Sequence, residues 1–259
     1  MPAATGEIMA KSSRKTKKPR RAGATADAGA QALSRRLIRQ STNTIADVLD
    51  VMGLGNQTLR AAIRPLATGM RLAGPAFCVR GRPIDQAAPP PAGMPFEVDR
   101  HLTPGCIVVT ATGGHTVSAV IGGNVVAAYK QRGCAGLVVD GAVRDSAEIR
   151  ALRLPTFSTH VTPRRPAARW AVVEYGQPIS LPGQSGLEVV IHPGDLILGD
   201  EDGVVVVPQA VAAEVIAAAE QLTRIEAKVA RDIRRGRDRE ETLRAYDRFG
   251  HIRKIVPNV

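Results

Sequence analysis

The chain has 259 residues, 44% of them hydrophobic, which suits one main domain of roughly 200 residues around a buried core. No apolar run approaches the ~20 residues of a membrane span, and the basic N-terminus is not followed by the apolar stretch of a secretory signal. The net charge of +11 points first to nucleic acid, but residues 1–25 hold seven Lys/Arg against one acid, residues 224–254 hold eleven against six, and the rest balances. With aromatic residues at 3%, platforms for stacking on bases are also few.

In chain order, residues 1–30 carry the run Lys-Ser-Ser-Arg-Lys-Thr-Lys-Lys-Pro-Arg-Arg (11–21) and small residues. That composition predicts a disordered basic tail. It is a solvated segment first and a weak polyanion contact second. The main domain is expected over 31–235. Ser41-Thr42-Asn43-Thr44 offers N-cap hydroxyls ahead of Ile45, Val48, Leu49 and Met52, which recur at helical spacing, and Gly53 stops that helix. Residues 69–81 read as a strand, and the Pro/Ala/Gly-rich 87–94 as a loop. The middle third alternates: strand 106–111, turn 112–115, helix from Gly122-Gly123-Asn124 to about Arg132, strand 136–140, helix Ser146–Leu152, then a short strand from Thr156. This order predicts an α/β layered core. The last third is mostly β up to Val207, a long helix covers 209–235, and 236–259 is a charged extension expected to pack on a neighbour or stay loose. Cys78, Cys106 and Cys134 form no close pair in sequence, which argues for reduced thiols and a cytoplasmic setting.

The chemistry concentrates in Gly122–Asp145. A glycine pair at a helix start leaves backbone N–H groups without helical partners, and these suit a carboxylate or phosphate. About twenty residues later a buried strand ends in Asp140-Gly-Ala-Val-Arg-Asp. Strand ends in α/β folds are where ligands sit. Asp145 supplies hard oxygen for Mg²⁺ or Mn²⁺, and Arg144 a fork for a carboxylate. The plainer reading is a surface ion pair with Asp145 capping the next helix. The residues alone leave both open. His115, in the loop before the glycine pair, is a possible catalytic group or an incidental loop histidine. His192 reads as structural. Asp200, Glu201 and Asp202 look metal-like, but Asp-x-Asp-Gly ahead of a strand is a turn pattern.

Residues 122–145 (Gly-Gly-Asn-Val-Val-Ala-Ala-Tyr-Lys-Gln-Arg-Gly-Cys-Ala-Gly-Leu-Val-Val-Asp-Gly-Ala-Val-Arg-Asp) resemble the signature region of the RraA-like family. The likeness continues through Ala147-Glu-Ile-Arg-Ala-Leu and Thr162-Pro163-Arg164, and Ser41–Gly53, Ile63-Arg-Pro-Leu with Gly74-Pro75-Ala76, and Pro193-Gly-Asp-Leu with Asp200–Pro208 agree as well, so it covers about 35–230. It implies a single-domain layered α/β/β sandwich, of swivelling-domain type, assembled as a trimer or hexamer. It also implies the chemistry of the family's 4-hydroxy-4-methyl-2-oxoglutarate and 4-carboxy-4-hydroxy-2-oxoadipate aldolases, which release pyruvate and in many cases decarboxylate oxaloacetate. By that resemblance Asp145 coordinates Mg²⁺ or Mn²⁺, and Arg144 binds the 2-keto acid and its enolate oxygen. Backbone N–H groups of Gly122, Gly123, Asn124 and Val125 hold the pyruvyl carboxylate, and Glu226 serves a neighbouring subunit's site.

The family's enzymes carry an acid twenty residues before the Arg-Asp pair. Here that position is Gly123, so weaker metal binding and slower or altered activity are expected. The other branch of the family, regulators that inhibit a ribonuclease, lacks the aspartate that this chain keeps at Asp145. A metal-dependent lyase and a non-catalytic partner of RNA processing are therefore the two expectations, and Asp145 favours the first.

Overall fold

A computed structural model describes residues 22–85 and 89–255, with side chains from residue 29. The basic run 11–21 lies outside the described residues. The elements are α1 (Ala22–Leu37), α2 (Thr42–Met52), β1 (Arg64–Pro65), β2 (Leu72–Pro83), α3 (Met94–His101), β3 (Ile107–Ala111), β4 (Ala119–Ile121), α4 (Gly123–Gln131), β5 (Gly136–Val139), β6 (Ala142–Val143), α5 (Ser146–Leu152), β7 (Thr156–Ser158), β8 (His160–Val161), β9 (Trp170–Tyr175), β10 (Ile179–Pro182), β11 (Glu188–Ile191), β12 (Leu196–Asp200), β13 (Gly203–Val207), α6 (Ala212–Arg234) and α7 (Arg239–Ala245).

The main sheet runs β1-β7-β5-β3-β2-β12-β13. Strands β2, β3, β5 and β7 are parallel neighbours, while β12, β13 and β1 join antiparallel at the two sides. Strand β2 is long enough to serve twice: its first half pairs with β12 and its second half with β9, across a bulge at Arg80/Gly81. Its alternation sorts the layers, because successive side chains point to opposite faces. Leu72, Ala76 and Cys78 pack with Ile179, Leu181, Val189 and Ile191 of the β10–β11 hairpin. Ala73 on the other face meets the cluster under α1, α2 and α6, and Phe77 and Val79 meet the cluster under α3, α4 and α5. Helices thus cover one face and the hairpin covers the other, the α/β/β layering expected.

Local signals explain most boundaries. Ser41 caps α2 with its side chain, and Gly53, at φ 88°, ends it in the left-handed conformation that glycine adopts without cost. The valines of β13 alternate between the two cores, Val205 and Val207 toward α2 and α6, Val204 and Val206 toward the hairpin. Asp200 and Gly203 face each other across a tight β12–β13 turn, so the Asp-Glu-Asp-Gly run is a turn, as its pattern suggested. Asp200 is buried. Its carboxylate accepts from Thr42 N at 2.9 Å, Thr42 Oγ1 at 2.6 Å and Asp202 N at 3.0 Å, tying the turn to the start of α2. Asp200→Ala strands these donors and is expected to cost about 3 kcal/mol, in line with hydrogen bonds to a charged group. Urea unfolding should show a lower midpoint with an unchanged slope.

Two expectations are corrected, and one helix was not read from the sequence. The segment read as a tail through residue 30 is helical from Ala22, because Ala-rich sequence there continues into the amphipathic residues of α1. Helix α3 (Met94–His101) follows the 87–94 loop and has no counterpart in the sequence reading; its one fully buried residue, Val98, gives too little periodicity to signal a helix. The described part of the C-terminal extension, 236–255, is not loose. Tyr246 donates to Asp232 at 2.8 Å, and Phe249, Ile252 and Ile255 pack on the α2–α6 core. Sparse apolar residues among many charges suffice, because the charges point outward.

Candidate active site at the start of helix α4

Two short parallel strands hold this corner together. Strands β4 and β6 pair, and Arg144 N donates to Ile121 O at 3.0 Å. The residues after β4 (Gly122, Gly123) and after β6 (Arg144, Asp145) therefore emerge side by side. Asp145 sits at the N-cap position of α5, yet its backbone is left-handed (φ 59°, ψ 40°) and its side chain makes no capping bond. N-cap residues are ordinarily extended. The left-handed turn swings the carboxylate away from α5 and onto the start of α4, where Oδ2 accepts from Gly123 N at 3.0 Å. Arg144 Nε lies 3.4 Å from the same oxygen. The plain reading of Asp145 as the cap of its own helix is thus not what the chain does.

A third group joins them. A Cβ on Gly123 would lie 2.1 Å from Glu148 Oε2, and one on Gly122 would lie 2.6 Å from Asp145 Oδ2 and 2.9 Å from Arg144 Nε. Both glycines are side-chain-free because charged groups from α5 and β6 occupy that space. Glu148 stands three residues after Asp145, one helical turn into α5, the spacing that stacks two side chains on one face. Sequence reasoning missed it; an Arg-Asp-x-x-Glu run at a helix start was the signal. All three groups are reachable by solvent: Asp145 and Glu148 are exposed and Arg144 is half-buried.

The glycine-pair amides are partly committed. Gly123 N–H is taken by Asp145, and Val125 N–H closes on Gly122 O at 3.1 Å. A substrate carboxylate would therefore meet Arg144 and the remaining amides of this turn rather than four open donors. Glu226 is not brought to this corner within the chain. It lies on α6 and is hydrogen-bonded and ion-paired to Arg248 of the C-terminal segment.

His115 is buried, its Nε2 accepting from Ser118 N at 3.1 Å and lying 2.8 Å from Ser118 Oγ. Burial holds its pKa below the usual histidine value. It pins the 115–118 turn. His192 is exposed beside Asp195, whose buried carboxylate accepts from His192 N and Gln209 N; this is a structural turn, as expected. Cys106 and Cys134, distant in sequence, meet in the core with sulfurs 3.6 Å apart. At the ends of β2, β3 and β5 a separate cavity of about 530 Å³ is lined by Arg80, Arg82, Gly113, Gly114 and Asp140. Asp140 accepts from Thr112 N at 2.7 Å, and burial raises its pKa. None of Arg144, Asp145 and Glu148 lines that cavity.

The family model described as "RraA-like: Aldolase/RraA" matches residues 42–206. The chain belongs to the RraA-like family. A Halalkalibacterium halodurans protein provisionally named 4-hydroxy-4-methyl-2-oxoglutarate aldolase is 35% identical over 168 residues, 65% of this chain and 72% of that protein. A Thermus thermophilus protein named 4-hydroxy-4-methyl-2-oxoglutarate aldolase is 32% identical over 105 residues, 40% of this RraA-like chain and 60% of its own length. Among solved structures, Streptomyces coelicolor RraAS2, described as an unusual member of the RNase ES inhibitor RraA protein family, superposes with a TM-score of 0.66 at 28% identity, covering 76% of this chain and 94% of that one. No helix among the described residues is long and apolar enough to cross a membrane.

Proposed function

We propose that this RraA-like chain is a divalent-metal-dependent lyase that releases pyruvate from a 4-hydroxy-2-oxo acid, with oxaloacetate decarboxylation as a side activity. The observation that carries this is the convergence of Asp145, Glu148 and Arg144 on the side-chain-free start of α4. Among the described residues no cluster of three or more His, Cys, Asp or Glu makes a closed cage. Two hard carboxylates suit Mg²⁺ or Mn²⁺ nonetheless, because such ions keep several waters and take one or two protein carboxylates together with the substrate. Asp145 and Glu148 would hold the ion, and the ion would supply Lewis-acid polarisation of the 2-oxo group.

The chain's own groups do the rest. Arg144 is the cation beside these carboxylates; it grips the pyruvyl carboxylate and answers the negative charge that develops on the 2-oxo oxygen. In the cleavage the C4 hydroxyl gives its proton to water, a C4 carbonyl forms and the C3–C4 bond breaks. The electron pair of that bond passes into the pyruvyl half as an enolate, and C3 takes a proton back from water. Glu226 belongs to the proposal as a group acting across a subunit boundary in a trimer or hexamer, which requires Arg248 to yield it.

The relatives named as aldolases support this reading. The likeness to RraAS2 supports a second one, a non-catalytic partner of a ribonuclease. Pyruvate release from oxaloacetate separates the two. Release that stops with EDTA and returns with Mg²⁺ is expected. No metal-dependent pyruvate above an Asp145→Asn control would leave the binding protein as the reading.

A further inference from the structure

Behind the first turn of α4, between the sheet and the helix layer, lies a partly open cavity of about 220 Å³. Its walls include Val120, Ile121 and Val125, the rings of Tyr129 and Trp170, and Thr110; the remaining lining residues are Ala, Val and Pro. No lining residue carries a charge. Trp170 Nε1 is already committed to Thr112 O at 2.9 Å. Thr110 differs: it is 1% exposed, on the helix-facing side of β3, and its hydroxyl has no hydrogen-bond partner. Buried hydroxyls are nearly always paired, so one left single beside a cavity calls for an occupant with a polar atom.

The cavity adjoins the site. Ile121 and Val125 line it, and the residues between them are the Gly122–Asn124 turn whose amides and flanking charges form the catalytic corner. Ile121 is also the residue whose carbonyl holds Arg144 N. Size separates a subsite from an independent site. Pockets that take whole drug-sized ligands run to roughly 300–1,000 Å³, and this one falls short of that, with room for one substituent.

We infer that the cavity receives the distal end of the substrate, and that this end is apolar, a branched alkyl or phenyl group carrying at most one hydrogen-bonding atom for Thr110. The inference rests on the lyase reading and narrows its substrate class. A second carboxylate, as in 4-hydroxy-4-methyl-2-oxoglutarate, would enter a space with no cation to meet it, and an unpaired buried carboxylate is strongly disfavoured. A phenyl group would instead lie against Trp170 and Tyr129, where ring contacts are favourable.

Trp170 is the chain's single tryptophan, so its fluorescence reads the cavity directly. The test uses the full chain loaded with Mn²⁺ and three non-cleavable acids: pyruvate, 2-oxoglutarate and 2-oxo-4-phenylbutanoate. Binding at the metal is followed by the Mn²⁺ electron paramagnetic resonance signal, and binding in the cavity by Trp170. The phenyl acid should bind roughly tenfold or more tightly than 2-oxoglutarate, the scale at which apolar pockets discriminate, and it alone should change Trp170 emission. Ala171→Leu, which fills the cavity, should remove that advantage while leaving pyruvate affinity unchanged. Should Ala171→Leu fail to fold, Ala171→Val is the second variant, expected to reduce the phenyl acid's advantage with pyruvate affinity unchanged; an undiminished advantage overturns the subsite.

If pyruvate perturbs the Mn²⁺ signal but the phenyl chain adds no affinity, the apolar subsite is overturned and the lyase reading stands. If no 2-oxo acid perturbs the Mn²⁺ signal, the lyase reading fails and the substrate assignment falls with it, whatever Trp170 shows.

Discussion

Asp145→Asn is expected to abolish metal-dependent pyruvate release while leaving the fold intact. Asparagine keeps the shape of the side chain and tolerates the left-handed backbone that Asp145 adopts at φ 59°. Its amide oxygen can still accept from Gly123 N, so the tie between the two loops survives. The negative charge does not. The corner then holds one carboxylate, Glu148, against the guanidinium of Arg144, and a hard divalent ion has little to bind. Removing groups that merely orient a metal ligand already weakens affinity by roughly 10–100-fold, so losing a ligand's charge should exceed that range. Alanine is the poorer probe, since it adds the cost of a non-glycine left-handed residue without polar compensation, about 1–2 kcal/mol. Isothermal titration with Mn²⁺ and thermal unfolding of the same sample make the check. Wild-type Mn²⁺ affinity in a normally folded Asn variant would remove Asp145 from the site.

The sequence carried the fold further than it carried the site. Helices α2, α4 and α5 were legible because their caps and glycines are local signals, and β3, β5 and β13 because short apolar runs between turn residues have few alternatives. What escaped depended on tertiary placement. Helix α3 has a single fully buried residue, and the C-terminal segment's three packing residues are spread over seven positions among charges. At the site, Arg144 and Asp145 were visible as a motif, but the direction of the Asp145 carboxylate follows from a positive φ that composition does not announce. The absence of an acid at Gly123 suggested a depleted site. The fold returns a carboxylate to that space from Glu148, so the expectation of a weakened site does not follow from Gly123 alone.

That substitution of one carboxylate source for another makes a reciprocal prediction. Glu148→Ala should likewise weaken Mn²⁺ binding and pyruvate release beyond roughly 10–100-fold, the range for groups that only orient a ligand, since one of the two carboxylates that would hold the ion is lost. Gly123→Asp alone should not improve the site. Its Cβ would lie 2.1 Å from Glu148 Oε2, and two carboxylates forced together repel and raise one another's pKa. Glu148 is exposed and flexible, so the clash resolves by expelling its side chain rather than by unfolding the chain. Combining the two changes should restore what Glu148→Ala removed. Gly123 is not among the left-handed residues of the chain, so an aspartate fits its backbone, and with Glu148 gone the space beside it is free. The signature is non-additivity: two changes that each fail to help singly should together approach wild-type affinity, a coupling expected only of residues sharing one site. A double variant no better than Glu148→Ala would show that the carboxylate over Gly123 is a surface charge with no part in binding the ion, and would leave Asp145 to hold it with substrate and water alone.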